Sequence, residues 1–88
     1  MYNNRSYYND WEHQIRIARH RETPVERVHI GMDIMDPEVD FPGMARSMGW
    51  WAEGPIENGN DVASILKPVI DEVKAGRPAL VDTVTQFR

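Results

Sequence analysis

Eighty-eight residues allow one small domain at most, and a chain of this length buries only ~60–65% of its unfolded surface. Fourteen acidic against ten basic side chains give a net charge of −4, which argues against a nucleic acid or an anionic membrane surface as partner, since phosphate binding needs clustered Lys and Arg. No apolar run approaches the ~20 residues of a membrane span, the N-terminus lacks a signal peptide's apolar stretch, and without cysteine there is no disulfide or thiolate chemistry, so a soluble cytoplasmic protein is expected.

Met1-Tyr2 leads at once into Asn3-Asn4, followed by Arg5-Ser6-Tyr7-Tyr8. Two adjacent asparagines ordinarily mark a turn or a helix cap. Residues 6–21 read as a helix, because Tyr8, Trp11, Ile15 and Ala18 recur at spacings of three, four and three on one face. Ser6 and Asn9 are both N-cap candidates. Arg16, Arg19, His20 and Arg21 crowd the last turn, where the helix dipole favours cations, and Thr23-Pro24 ends it. In 25–39, Val28, Ile30, Met32 and Ile34 alternate with His29, Gly31 and Asp33, which predicts a short extended segment, broken by Asp36-Pro37.

Asp40 reads as the N-cap of a short helix, 41–48, with Pro42 in its first turn and Gly49 supplying the left-handed residue that stops it. Residues 50–53 predict a short strand closed by Gly54-Pro55. Asn58 caps the clearest amphipathic helix, 59–75, in a capping-box-like pair with Asp61. Val62, Ile65, Leu66, Val69, Ile70 and Val73 form its apolar stripe, Pro68 predicts a kink, and Lys74-Ala75-Gly76 is the stop. The β-branched run 79–85 predicts a strand, so that 50–85 spells β-α-β with two parallel strands.

Few residues offer chemistry of their own. His13 and His20 lie seven apart on one helical face, but Arg16 beside them repels a cation and no third ligand is evident, so a solvated basic face is the better reading than zinc. His29 stands alone. Glu53, Glu57, Asp61, Asp71 and Glu72 read as solvated faces and caps rather than an acid–base pair. Tyr8 and Trp11 read as core at helical spacing, and Tyr7 is balanced between packing and walling a channel.

A resemblance adds to this. Asn3-Asn4, then Ala18-Arg19-His20-Arg21, Val28-His29-Ile30-Gly31-Met32-Asp33, Asp40 to Gly49 and Ala75 to Asp82 appear in the order found in the C-terminal part of the diphosphate-binding domain of thiamine-diphosphate-dependent enzymes. The chain resembles acetolactate-synthase-like and benzoylformate-decarboxylase-like members over nearly its whole length. In that family a Gly-Asp-Gly well upstream shares the cofactor's Mg²⁺ with the Asn-Asn. With only two residues ahead of Asn3, the Gly-Asp-Gly is not in this chain.

The resemblance implies an α/β fold: a single partial domain, 1–88, the C-terminal fragment of a parallel-sheet domain with three helices and a terminal β-α-β unit. It implies that Asn4 and the carbonyl of Ser6 ligate the metal. It implies that Asn3 holds the loop by hydrogen bonds and that Tyr7 lies beside the cofactor. The implied activity is that of a lyase, decarboxylase or carboligase acting on a 2-oxo acid or related acyl donor. Lacking the aspartate and the glycine turn, the chain alone is expected to bind no thiamine diphosphate or Mg²⁺ and to have no catalytic residue of its own. Its expected partner is a second copy of itself or a chain carrying the missing half. The alternative reading is a non-catalytic α/β module that self-associates or docks on a partner chain.

Overall fold

The β-branched run near the C-terminus becomes the middle strand of a parallel sheet. A computed structural model describes residues 1–86, which form β1 (Tyr2–Asn3), α1 (Tyr8–His20), α2 (Phe41–Ser47), β2 (Trp51–Ile56), α3 (Gly59–Lys74) and β3 (Ala79–Val84). The described residues form a small α/β fold with three helices and a three-stranded parallel sheet of order β1-β3-β2. It divides into two compact units: Met1–Asn3 with Asp40–Thr85, and Asn4–Val39 with Gln86. No helix among the described residues is long and apolar enough to cross a membrane.

The first unit holds the sheet. β2, α3 and β3 make the expected β-α-β unit, with β2 and β3 parallel. Asp40 caps α2 as expected, its Oδ1 accepting from the Gly43 amide at 2.7 Å, and Pro42 and Ala45 are buried. Gly49, at φ +82°, ends the helix, and the Trp50 amide donates back to the Ala45 carbonyl. Arg46 ties α2 to β2 through a 2.8 Å bond from Nη1 to the Ala52 carbonyl.

Gly54-Pro55 does not close β2. The strand runs on to Ile56, because those two residues together face a single β3 residue between the Glu53–Val81 and Ile56–Thr83 pairs. The pair is a bulge, which bends a strand without ending it. The sheet also gains a strand that periodicity did not predict, β1, pairing Tyr2 with Thr83 and Asn3 with Val84.

Asn58 caps α3 with its side-chain oxygen on the Asn60 amide at 3.0 Å, and the helix runs through Pro68 to Lys74. Its apolar stripe splits in two. Val62, Ile65 and Val69 are half-buried, whereas Leu66, Ile70 and Val73 are about half exposed, at 52%, 49% and 55%.

The second unit holds α1, whose buried residue is Ala18. Neither Ser6 nor Asn9 caps it. The N-cap is Tyr7, without a side-chain cap bond, since Ser6 is engaged elsewhere and Asn9 lies inside the helix. At the other end Glu22 takes the left-handed conformation (φ +53°), and the Thr23 amide and hydroxyl both donate to the Ala18 carbonyl. The extended segment expected at 28–34 is instead a chain of turns. The amides of Val28, Ile30 and Met32 donate three residues back, to Val25, Arg27 and His29, and Gly31 sits at φ +80°. Local bonds take up Val28 to Met32, and the extended pairing is confined to an antiparallel bridge of Asp33 with Ser6, flanked by bonds from the Tyr7 amide to the Met32 carbonyl and from the Ile34 amide to the Arg5 carbonyl. Asp36-Pro37 makes a tight turn between the bridged residues Met35 and Glu38.

Candidate functional site

β1 ends at the Asn-Asn pair. Its two residues are held against β3 by backbone bonds from the Thr83 amide to the Met1 carbonyl (3.1 Å) and from the Thr85 amide to the Asn3 carbonyl (2.8 Å). Between these, the Asn3 side-chain amide donates to Asp82 Oδ2 at 3.3 Å. Asp82 lies in the middle of β3 and is only 1% exposed. Its other oxygen, Oδ1, is buried with no hydrogen-bond partner among the described residues. The bond to Oδ2 joins Asn3 to β3 within the sheet unit.

The next residues belong to the second unit. Asn4 Oδ1 accepts from the Ser6 amide at 3.3 Å, a side-chain-closed turn in which Arg5 takes a positive φ of 56°. Arg5 Nε pairs with Glu38 Oε1 at 3.1 Å. Ser6 is buried, its hydroxyl donating to the Met32 carbonyl at 3.1 Å, and the Tyr7 amide donates to that same carbonyl at 2.7 Å. The Ser6 carbonyl accepts no hydrogen bond among the described residues. Tyr7 itself is exposed.

These residues fit Mg²⁺ with a diphosphate only in part. Mg²⁺ wants near-octahedral oxygen ligation and gives up its waters reluctantly. The turn brings together a neutral amide oxygen, Asn4 Oδ1, and the backbone of Ser6, whose carbonyl is unspent. Neither carries charge. Among the described residues no cluster of three or more His, Cys, Asp or Glu stands ready to hold a metal. Two neutral oxygens of a coordination shell come together in this turn.

Farther along, Tyr8 and Trp11 meet edge to face, centroids 5.9 Å apart at 84°. They do not form the expected closed core. With Glu12, Ile15, Arg16 and Arg19 they line a groove of about 280 Å³. Glu12 is the hub of that face, accepting from the Tyr8 hydroxyl at 3.2 Å and from Arg16 at 3.1 Å. His13 and His20 are exposed.

Asp82 is the residue that sequence reasoning passed over. The available signal was an acid inside a β-branched run, and such an acid reads by default as the solvent-facing position of a half-buried strand. Its burial depends on a partner 79 residues away. No family model, curated protein or solved structure matches the chain.

Proposed function

We propose that the chain is the C-terminal part of a thiamine-diphosphate-binding domain, from a lyase, decarboxylase or carboligase of the acetolactate-synthase and benzoylformate-decarboxylase kind. The observation that carries this reading is the position of the Asn-Asn. It falls at the carboxyl end of a strand in a parallel sheet, the end at which open α/β sheets bind their ligands. The ordered match of the flanking phrases adds to it. When bound, thiamine diphosphate supplies the carbanion chemistry on a 2-oxo acid or related acyl donor. In this reading Asn4 and the Ser6 carbonyl are neutral oxygen ligands to its Mg²⁺, Asn3 is a positioning group, and Tyr7 lies beside the cofactor. The charged ligand and the glycine turn come from a Gly-Asp-Gly segment outside these residues.

The test is a pair of calorimetric titrations with Mg²⁺ and thiamine diphosphate. The 88-residue chain should give no saturable heat. A chain that also carries the Gly-Asp-Gly half should bind, and Asn4→Ala in it should weaken cofactor affinity and activity together. Unchanged affinity in that variant would show that the Asn-Asn is only a turn.

A second reading, a non-catalytic module that associates with itself or with another chain, draws on one observation. Leu66, Ile70 and Val73 leave an apolar strip uncovered along α3.

A further inference from the structure

We infer that Asp82 is the positioning residue of the Asn-Asn pair, acting through the side chain of Asn3; the functional meaning of this rests on the reading of that pair as part of a metal–diphosphate site.

Acidic side chains are almost never fully buried without a partner. Yet Asp82 and Pro42 are the largest fully buried side chains among the described residues. Alternation places Asp82 on the same face of β3 as Leu80 and Val84, where an aliphatic residue would be the default.

The fold is shaped to admit it. The β2 bulge falls opposite Asp82, and Gly54 in that bulge has φ +126°, a conformation that side chains rarely adopt. A Cβ on Gly54 would sit 2.6 Å from the Asp82 carbonyl oxygen and 2.9 Å from its Cβ. A glycine in a Gly-only conformation therefore lies directly against the buried acid.

What the acid grips is Asn3. β1 has two residues, so its ladder to β3 is short; the Met1 ammonium adds a bond to the Val81 carbonyl at 2.6 Å and the Thr83 hydroxyl one to the Met1 carbonyl at 2.9 Å, and both lie at the Met1 end, away from the Asn-Asn pair. A slip of one residue would turn Asn3 to the opposite face and move the chain's exit from the sheet by ~3.3 Å. The Asp82 carboxyl accepts from an amide on one face at one rung. It thereby locks, at the Asn3 end of the strand, the register in which Asn3 is the last strand residue and Asn4 the first residue beyond it.

The test is amide hydrogen exchange by NMR on the 88-residue chain, which involves no cofactor. The reporters are the Thr83 and Thr85 amides, which donate to Met1 and Asn3, and the Asn3 side-chain NH₂ signals. Asp82→Leu should cost the two reporter amides at least about tenfold in protection relative to amides of α3. It should also shift the Asn3 NH₂ signals away from their positions in the parent chain. Asp82→Asn, which keeps an acceptor for that amide, should restore both. Should Asp82→Leu fail to fold, Asn3→Ala leaves the core side chain in place and should show the same selective loss at Thr85. Unchanged protection in Asp82→Leu or in Asn3→Ala, or an Asp82→Asn variant as impaired as Asp82→Leu, would overturn the inference. The expected loss of protection in Asp82→Leu alongside unaltered cofactor affinity in the longer Asn4→Ala chain would instead remove the cofactor reading and leave the positioning role standing.

Discussion

Gly54→Ala puts the packing of the sheet unit to a direct test. Gly54 sits at φ +126°, outside the regions open to residues with a Cβ, and holding alanine there costs on the order of 1–3 kcal/mol. The new methyl would meet the β3 backbone, 2.6 Å from the Asp82 carbonyl oxygen and 3.2 Å from its Cα. These are main-chain atoms that cannot swing aside, so an overpacking cost of about 1–3 kcal/mol adds to the first. The combined ~2–6 kcal/mol compares with a total stability of roughly 4–13 kcal/mol for a domain of this size. Urea denaturation followed by tryptophan fluorescence should show the midpoint falling by about a sixth or more, or a chain already unfolded in buffer. Gly59→Ala is the control: it lies in the first turn of α3 at ordinary φ with nothing within 4 Å of the added methyl, and should change little. A Gly54→Ala variant within ~0.5 kcal/mol of the parent, the range of an ordinary surface substitution, would refute the close approach of β2 to Asp82.

Asp40→Ala removes the acceptor of the Gly43 amide and should cost about 1 kcal/mol in the same denaturation assay; no change would mean that the cap is solvated rather than bonded. Glu22→Gly relieves a left-handed residue at the end of α1 and should raise stability by up to ~1 kcal/mol, while a loss there would show that the Glu22 side chain contributes more than its strain costs. For association, sedimentation of the chain up to about millimolar concentration should show weak concentration dependence that the double substitution Leu66→Glu and Ile70→Glu abolishes; a chain that stays monomeric throughout would remove self-association along this strip.

Where local chemistry decides a segment, the sequence is readable. Asp40 and Asn58 cap helices because a short polar side chain can reach the free amides of a first turn, and Gly49 ends one because it tolerates positive φ. Where a distant partner decides, it is not. The alternation of Val28 to Ile34 matches a strand, but consecutive turns satisfy the amides of Val28, Ile30 and Met32 locally, and only its end pairs, in a single bridge of Asp33 with Ser6. Gly54-Pro55 carries the composition of a stop, yet β3 holds the chain on both sides of it. β1 is too short for any period to register, and its existence rests on β3, some eighty residues on. The candidate site divides in the same way. Asn3 and Asn4 stand out as a motif, whereas Asp82 becomes visible only when the fold brings it to Asn3.

The uncovered surface of α3 carries a quantitative argument about partners. Fully burying a large aliphatic side chain is worth ~1.5–3 kcal/mol. Leu66, Ile70 and Val73 are each already about half covered, so enclosing the remainder returns roughly 2–4 kcal/mol for each copy. Association itself costs about 4–15 kcal/mol before any affinity appears. A helix-to-helix contact along this strip alone therefore yields at best weak pairing. Purely parallel sheets are almost always covered on both faces, and this one has β1 and β2 at its edges. Pro55 removes one backbone donor from the β2 edge, which discourages indiscriminate strand pairing there. The β1 edge carries no such block, and β1 is the strand that ends at the Asn-Asn pair. β1 spans only two residues, so the number of backbone bonds that edge can contribute is small, and the α3 strip by itself supports no more than weak association.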